Sequence, residues 1–355
     1  MQLKSILSLH LAFVCFVFLS INTHVDAAVL ATGFYTNQIY RFDTATGAQT
    51  VFNGGIPEGG LSAIAVNHAT GRVYVAAYQT GNIYSFDGYT PNSAVTSFAI
   101  SGGTNPSGIA INQSTGQLYI TYADGMGAGQ VGIYSATGSL QSTITTPGIG
   151  LGGLALRDSN TLLIGNGLAS GVSANISQLD LTTNTLTNFS NPAFVASIAN
   201  QIAIDATGNV YAGTLGIPNF TPDGNNVYKF DAAGVASLFA SVTSPGTIPI
   251  PILPFMAVPS SPYTSPSAVV IDSNGDIIVG VSGQTRPDEG DSNGAILRYS
   301  PSGVLLNTVV NKFTPINALA LQPTAVPEPA TLALISLIGV GWGYRKIRKT
   351  SKVRV

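Results

Sequence analysis

Apolar and polar positions along the chain come in short runs, and one run recurs. Ser62-Ala63-Ile64-Ala65-Val66 returns as Ser107-Gly108-Ile109-Ala110-Ile111 and as Gly152-Gly153-Leu154-Ala155-Leu156. It returns again as Asn200-Gln201-Ile202-Ala203-Ile204, Ser267-Ala268-Val269-Val270-Ile271 and Asn317-Ala318-Leu319-Ala320-Leu321. Each copy is too short for a helix and is bounded by Gly, Asn, Asp or Ser, which predicts a buried strand. A second strand follows in five of the copies, as Val73-Tyr74-Val75 or Val210-Tyr211-Ala212, after turns such as Ala69-Thr70-Gly71 and Ala206-Thr207-Gly208. A third strand of period two reads Ile39-Tyr40-Arg41-Phe42-Asp43, Ile83-Tyr84-Ser85-Phe86-Asp87, Val227-Tyr228-Lys229-Phe230-Asp231 and Ile296-Leu297-Arg298-Tyr299-Ser300. A turn such as Asp231-Ala232-Ala233-Gly234 leads into a fourth strand.

The six copies are spaced by 45, 45, 48, 67 and 50 residues. A period in the forties with four short strands per unit predicts a β-propeller. The ends of the array set the blade number. The first unit, near residues 28–53, lacks a first strand, and the last copy at Asn317 is a first strand with nothing after it. If that strand completes the first sheet, six blades close into a ring, and closure removes the edges of a linear array. The expected fold is therefore an all-β, six-bladed propeller over residues 28–322, sealed by a strand swap between the chain ends.

Antiparallel blades send their connections to two faces. First-to-second and third-to-fourth turns share one face, where only short turns are expected. Second-to-third loops and the links between blades share the other. The long segments 124–128, 168–173, 216–224, 283–293 and 242–266 all fall there. The last has seven prolines in 25 residues, which predicts an extended, stiff link. Long loops on a rigid scaffold are where binding residues concentrate.

Both ends of the chain read as addresses. Residues 1–27 have a positive Lys4, an apolar stretch from Ile6 to Ile21 and small residues at Val25-Asp26-Ala27, the pattern of a secretory signal. The single Cys, Cys15, lies inside it, so the exported chain holds no thiol and no disulfide. Near the other end, Val326-Pro327-Glu328-Pro329 precedes an apolar stretch, 330–344, and then Arg345, Lys346, Arg348, Lys349, Lys352 and Arg354. Fifteen residues of helix reach only about 22 Å, short of a bilayer core of roughly 30 Å, so 330–344 is expected to be a thin transmembrane helix suited to temporary retention. The basic tail, 345–355, is expected to stay cytoplasmic.

Pro-Glu-Pro, a short apolar segment and a basic end, in that order, resemble the PEP-CTERM sorting signal of Gram-negative bacteria. That resemblance implies an inner-membrane-anchored precursor, recognition by an exosortase near Pro327-Glu328-Pro329, and delivery to the cell surface or an extracellular matrix. It also implies an association with exopolysaccharide and biofilm. Residues 323–329 read as the linker that carries the motif.

Composition sharpens this picture. Only 8% of residues are charged, against about 25% in an ordinary soluble domain. Apolar residues make up 45%, enough for a core. Residues 28–327 carry seven basic and fourteen acidic side chains, so the exported body is acidic and no nucleic-acid partner is expected. Glu58, Asp124, Asp223, Asp288, Glu289 and Asp291 fall on the long-loop face against Arg286 and Lys312. Glu58, Asp124, Asp223 and Arg286 are the binding-face candidates. The other eight acids are expected to cap turns through their own backbone.

Candidate chemistry is sparse. Asp288, Glu289, Asp291 and Asn293 form the densest oxygen-donor cluster and are the candidate ligands for Ca2+, although their spacing is not that of a helix-loop-helix calcium loop. His68 is the one imidazole outside the signal segment and sits in a short turn without triad partners. Gly125-Met126-Gly127-Ala128-Gly129 lacks the Lys of a phosphate loop. Across residues 28–322 the repeat resembles the NHL-repeat and gluconolactonase-like propellers. The latter resemblance implies a metal-dependent lactone or ester hydrolase with carboxylate and amide ligands at the central channel. Glu58-Gly59 resembles the start of that ligand set, with Asn105 and Asn200 as amide candidates, but no Asp stands before the later first strands. The expected function is a non-enzymatic binding protein for a glycan or protein at the surface or in the matrix. The hydrolase, and a structural matrix protein without a ligand, are the alternatives.

Overall fold

A computed structural model describes residues 28–33, 36–124, 128–146, 151–166, 176–191, 198–214, 225–242, 264–283 and 294–323. These residues form six four-stranded antiparallel sheets. The first contains β1 (Ala28–Gly33), β2 (Ile39–Asp43) and β3 (Gln49–Asn53). The second runs β4 (Leu61–Asn67), β5 (Arg72–Ala77), β6 (Asn82–Asp87) and β7 (Thr96–Ala99). The third runs β8 (Gly103–Ile111), β9 (Leu118–Asp124), β10 (Gly129–Tyr134) and β11 (Leu140–Thr146). The fourth runs β12 (Leu151–Asp158), β13 (Thr161–Asn166), β14 (Ile176–Asp180) and β15 (Thr185–Asn188). The fifth runs β16 (Ile198–Ile204), β17 (Val210–Thr214), β18 (Asn226–Phe230) and β19 (Ala236–Ser241). The sixth runs β20 (Thr264–Ile271), β21 (Ile277–Gly283), β22 (Gly294–Tyr299) and β23 (Leu305–Phe313).

The last strand, β24 (Ile316–Leu321), returns to the first sheet and gives it the order β24-β1-β2-β3. Ala31 pairs with Leu319 on one side and with Tyr40 on the other, so head and tail of the chain are sealed in one sheet. The strands that carry the repeated run are the inner ones. β4, β8, β12, β16, β20 and β24 each lie beside the next, and β24 lies beside β4, which completes the circle.

The core is divided in the same way. Six apolar clusters lie between successive blades. Phe52 of blade 1 meets Ile64 and Phe86 of blade 2, and Tyr74 of blade 2 meets Ile109 and Leu118 of blade 3. Val131 meets Leu162, Leu163 meets Phe230, and Tyr211 meets Val279. The sixth cluster joins Ile278, Ile296 and Phe313 of blade 6 to Val29, Phe42 and Leu319 of blade 1. Apolar residues on both faces of the inner strands are thus explained: there each sheet is covered on both sides by a neighbouring sheet, while outer strands such as β7 and β15 are largely exposed. Where the outer turns approach the next blade, side chains are excluded. Gly303 has φ +85, and a Cβ there would come 2.5 Å from the Phe239 carbonyl oxygen of blade 5.

Turn acids behave as the sequence predicts. The residue after an inner strand caps the following turn: Asn67 Oδ1 accepts from the amides of Ala69 and Thr70, and Asp272 Oδ1 from those of Asn274 and Asp276. Asp43, Asp180 and Asp231 do the same after third strands. Asp276 is the exception among the eight, since its carboxylate receives Arg298. One expectation is corrected. The third-to-fourth connection of blade 2, residues 88–95, is not a short turn. It folds against blade 1, where Asn53 Nδ2 donates to Ser93 O at 3.1 Å and Asn92 N donates to Phe52 O at 2.8 Å.

Asp205 has the most strongly held turn carboxylate. Burial alone would raise its pKa, but donors from Asn209 and Thr207 outweigh it and bring it down to about 2 from the usual 3.8. A lowered folded-state pKa gives stability that is present above the unfolded value and lost as pH falls through the folded one. The carboxylate is largely solvated, so its charge contributes on the order of 1 kcal/mol. Asp205→Ala is therefore expected to lower stability at pH 7 and to flatten the loss of stability between pH 4 and 2. Urea titrations across that range measure both.

Candidate functional site

Every inner strand carries an irregularity at the first position of the repeated run. Leu61 pairs with Ala77 and Ala63 with Ala76, which leaves Ser62 as an extra residue. Ser267 and Asn317 are extra in β20 and β24 in the same way. β12 has one extra residue between Leu151 and Leu154, while β8 and β16 each have two, between Thr104 and Gly108 and between Ile198 and Ile202. A bulge re-aims the side chain it carries. Here the side chains turn to the next blade. Ser62 Oγ donates to Pro106 O at 2.6 Å, Asn317 Nδ2 donates to Leu61 O at 3.1 Å, and Ser267 Oγ donates to Ile316 O. Between blades 3 and 4, Ser107 and Thr121 share a hydrogen bond and Thr121 Oγ1 donates to Gly152 O at 3.2 Å. Each acceptor is a carbonyl at, or just before, the first repeat position of the next blade. At four of the six blade junctions, polar side chains at or beside the opening of the repeat thus tie one inner strand to the next.

The second repeat position is Ala63, Gly108, Gly153, Gln201, Ala268 and Ala318. Gln stands where the other five copies have Ala or Gly. Gln201 Nε2 donates to Leu319 O at 2.6 Å, and the Leu319 amide donates to Gln201 Oε1 at 3.0 Å. The side chain therefore reaches from blade 5 past blade 6 to blade 1 and satisfies the free inward edge of the closing strand. It occupies the channel at the level of Leu319. Sequence reasoning passed over Gln201, although its size among Ala and Gly was the available signal. Gln201→Ala is expected to cost about 1–2 kcal/mol and to speed exchange of the Leu319 amide, which loses its partner. Residue-resolved hydrogen exchange measures this.

Glu58 lies in the link from blade 1 to blade 2. It accepts from Tyr84 Oη and, at 2.7 Å, from Asn82 Nδ2, both on β6. Burial pushes its pKa up, but hydrogen bonds from Tyr84, Asn82 and Thr80 outweigh this and hold the carboxyl below its usual value. Tyr84 is pushed up to about 12 by burial, then by the hydrogen bond and charge of Glu58. Glu58 is thus a clasp between link and blade. Asp124 closes the base of the β9–β10 connection: the Ala128 amide donates to its Oδ1 at 2.8 Å, and its own amide donates to Ala128 O at 2.8 Å. The two carboxylates belong to different blades and each is bonded locally.

Asn105, in the β8 bulge, has φ +56 and is half-buried. His68 is exposed in the β4–β5 turn, and its amide donates to Gln113 Oε1 of blade 3 at 2.9 Å. Asp223, Arg286, Asp288, Glu289, Asp291 and Asn293 lie outside the described residues, as do Pro327, Glu328, Pro329, Arg345, Lys346 and the side chain of Asn200. Among the described residues no three His, Cys, Asp or Glu side chains come together as a metal site.

The two faces differ in what they carry. The described ends of segments 125–127, 167–175, 215–224, 243–263 and 284–293 all emerge on the face of second-to-third loops and blade links. On the other face the turns are capped, and the first and last strands of the described propeller meet: the Gln322 amide donates to Ala28 O at 2.8 Å.

Residues 325–349 match the PEP-CTERM protein-sorting motif, which implies processing by an exosortase and export to the cell surface in Gram-negative bacteria. No curated protein matches the chain in sequence. A chain from the crystal structure of a nidogen/laminin complex has the same fold, with TM-score 0.61 and 11% identity over 83% of this chain and 98% of that one. A protein of unknown function from Bacteroides caccae, solved at 1.35 Å, has TM-score 0.57 and 11% identity over the same shares. At that identity the likeness shows the fold alone.

Proposed function

We propose that the protein is a non-enzymatic binding module, delivered through its sorting motif to the cell surface or an exopolysaccharide matrix. Its loop-rich face is the docking surface. The observation that carries this reading is the asymmetry of the disc. One face is closed by capped turns and the packed 88–95 connection and holds both ends of the described propeller, Ala28 and Pro323, and the other gathers the longest connections. Gln201 in the channel supports binding on the face over hydrolysis at an axial metal. So does the local bonding of Glu58, the residue that the hydrolase resemblance would use as a ligand. The excess of carboxylates on the loop-rich side favours an uncharged glycan or a peptide over an anionic polymer.

The test uses the exported body, residues 28–327, on an array of neutral glycans and in capture from isolated matrix. Binding is expected, and it is expected to disappear when 216–224 and 283–293 are replaced by short Gly-Ser turns. Thr207→Ala on the opposite face should leave it unchanged. Binding that survives both loop replacements, or lactone turnover with added divalent metal, contradicts the proposal.

A further inference from the structure

We infer that the membrane-held precursor keeps its short-turn face toward the bilayer and its loop-rich face outward, because its tether is too short to let the disc reverse. The inference rests on the sorting reading above and adds an orientation to it. The last anchored residues are well defined. Gln322 is held at three points: its amide on Ala28 O at 2.8 Å, its Nε2 on Gly88 O at 3.2 Å, and its Oε1 under Arg41 Nε at 2.6 Å. Pro323 is buried, and a Cβ on Gly88 would come 2.9 Å from its ring. The chain therefore leaves the disc on the short-turn face, above the end of the third strand of blade 2.

The sorting motif starts two residues later, at 325. From Pro323 to the first residue of the apolar stretch, Ala330, seven residues span at most about 25 Å. To bring the loop-rich face to the bilayer, the tether would have to pass the outer strand and run the length of a blade. That path is roughly 5–10 Å across and 20 Å down, about 30 Å with side chains. The contour is too short. The same geometry keeps Pro327 within about 15 Å of the disc. Cleavage therefore takes place beneath the short-turn face while the loop-rich face is already open to a partner. Ala28, the first described residue, stands at this same face, bonded to the Gln322 amide.

The exported region has no cysteine, which makes single labels simple. Ser273→Cys marks the short-turn face and Gln79→Cys the loop-rich face, both at exposed positions. The full precursor, without its signal segment, is placed in liposomes with a headgroup acceptor dye. Energy transfer from position 273 is expected to exceed that from 79 by at least about twofold, given an offset of one strand length. A twenty-residue Gly-Ser insertion after Pro323 is expected to erase the difference. Equal or reversed transfer, or a difference that survives the insertion, overturns the orientation while leaving the sorting reading intact. A precursor that does not float with liposomes overturns the tether on which both rest.

Discussion

A chain that ends at Pro315 is expected not to fold, while one that ends at Pro323 is expected to fold as well as the full exported body. The two differ by the closing strand. Its loss strips the inner edge from blade 1 and removes Ile316, Ala318 and Leu319, each buried at 0–1% exposure. It also leaves Val29, Phe42, Ile278 and Phe313 with an open side in the cluster between blades 6 and 1. Ser267 and Gln201 lose their acceptors. Deleting most of one buried Leu side chain alone costs about 2–5 kcal/mol, and whole domains are stable by only about 5–15. Removing the strand therefore exceeds what the rest can supply. The checks are a cooperative thermal transition and absence of dye binding for the longer chain, and loss of both for the shorter.

Arg298→Ala is expected to cost about 3–5 kcal/mol, more than any other single charge removal among the described residues, because it strands two buried carboxylates. Arg298 reaches Asp276 Oδ2 at 2.8 Å and Asp272 Oδ2 at 3.2 Å, and the Asp272 side chain is only 1% exposed. Asp272 also caps the β20–β21 turn through its other oxygen. Asn at both acidic positions preserves the cap and removes the charge. Arg298→Met combined with Asp272→Asn and Asp276→Asn is thus expected to recover most of the loss. A denaturant series on the parent and these two variants measures it. If Arg298→Ala melts like the parent, the triad contributes nothing and the network is a surface one.

The ring was legible because its signals are periodic and local. Six copies of one apolar run, with Asn or Asp after many of them, predict inner strands and capped turns. Residues 28–53 without a first strand, and Asn317 without a second, predict the swap that brings Leu319 and Tyr40 to either side of Ala31. What sequence did not show depends on contacts between blades. The polar first position reads as a loop edge until its bulge and its carbonyl partner on the next blade are seen. Gln201 meets a residue 118 positions away. Glu58 reads as a free carboxylate, whereas its partners Asn82 and Tyr84 are fixed only once the link packs on β6. Residues 88–95 carry ordinary turn signals at Asp87-Gly88, yet β7 begins only at Thr96 because the segment packs on β3 first. The acidic cluster at 288–293 remains a matter of sequence alone.

The sealing of head to tail underlies the blade count, the position of the loop-rich face and the point where the tether leaves. Since the Gln322 amide bonds to Ala28 O, alternation along an antiparallel pair makes Val29 and Leu321 a non-bonded pair about 4.5 Å apart at Cα, within reach of a disulfide. In the exported body, residues 28–327, which has no cysteine of its own, Val29→Cys with Leu321→Cys is expected to oxidise completely in the folded state, with a mass loss of two hydrogens and a higher melting temperature. Two free thiols in the folded, oxidised protein would contradict the closed ring.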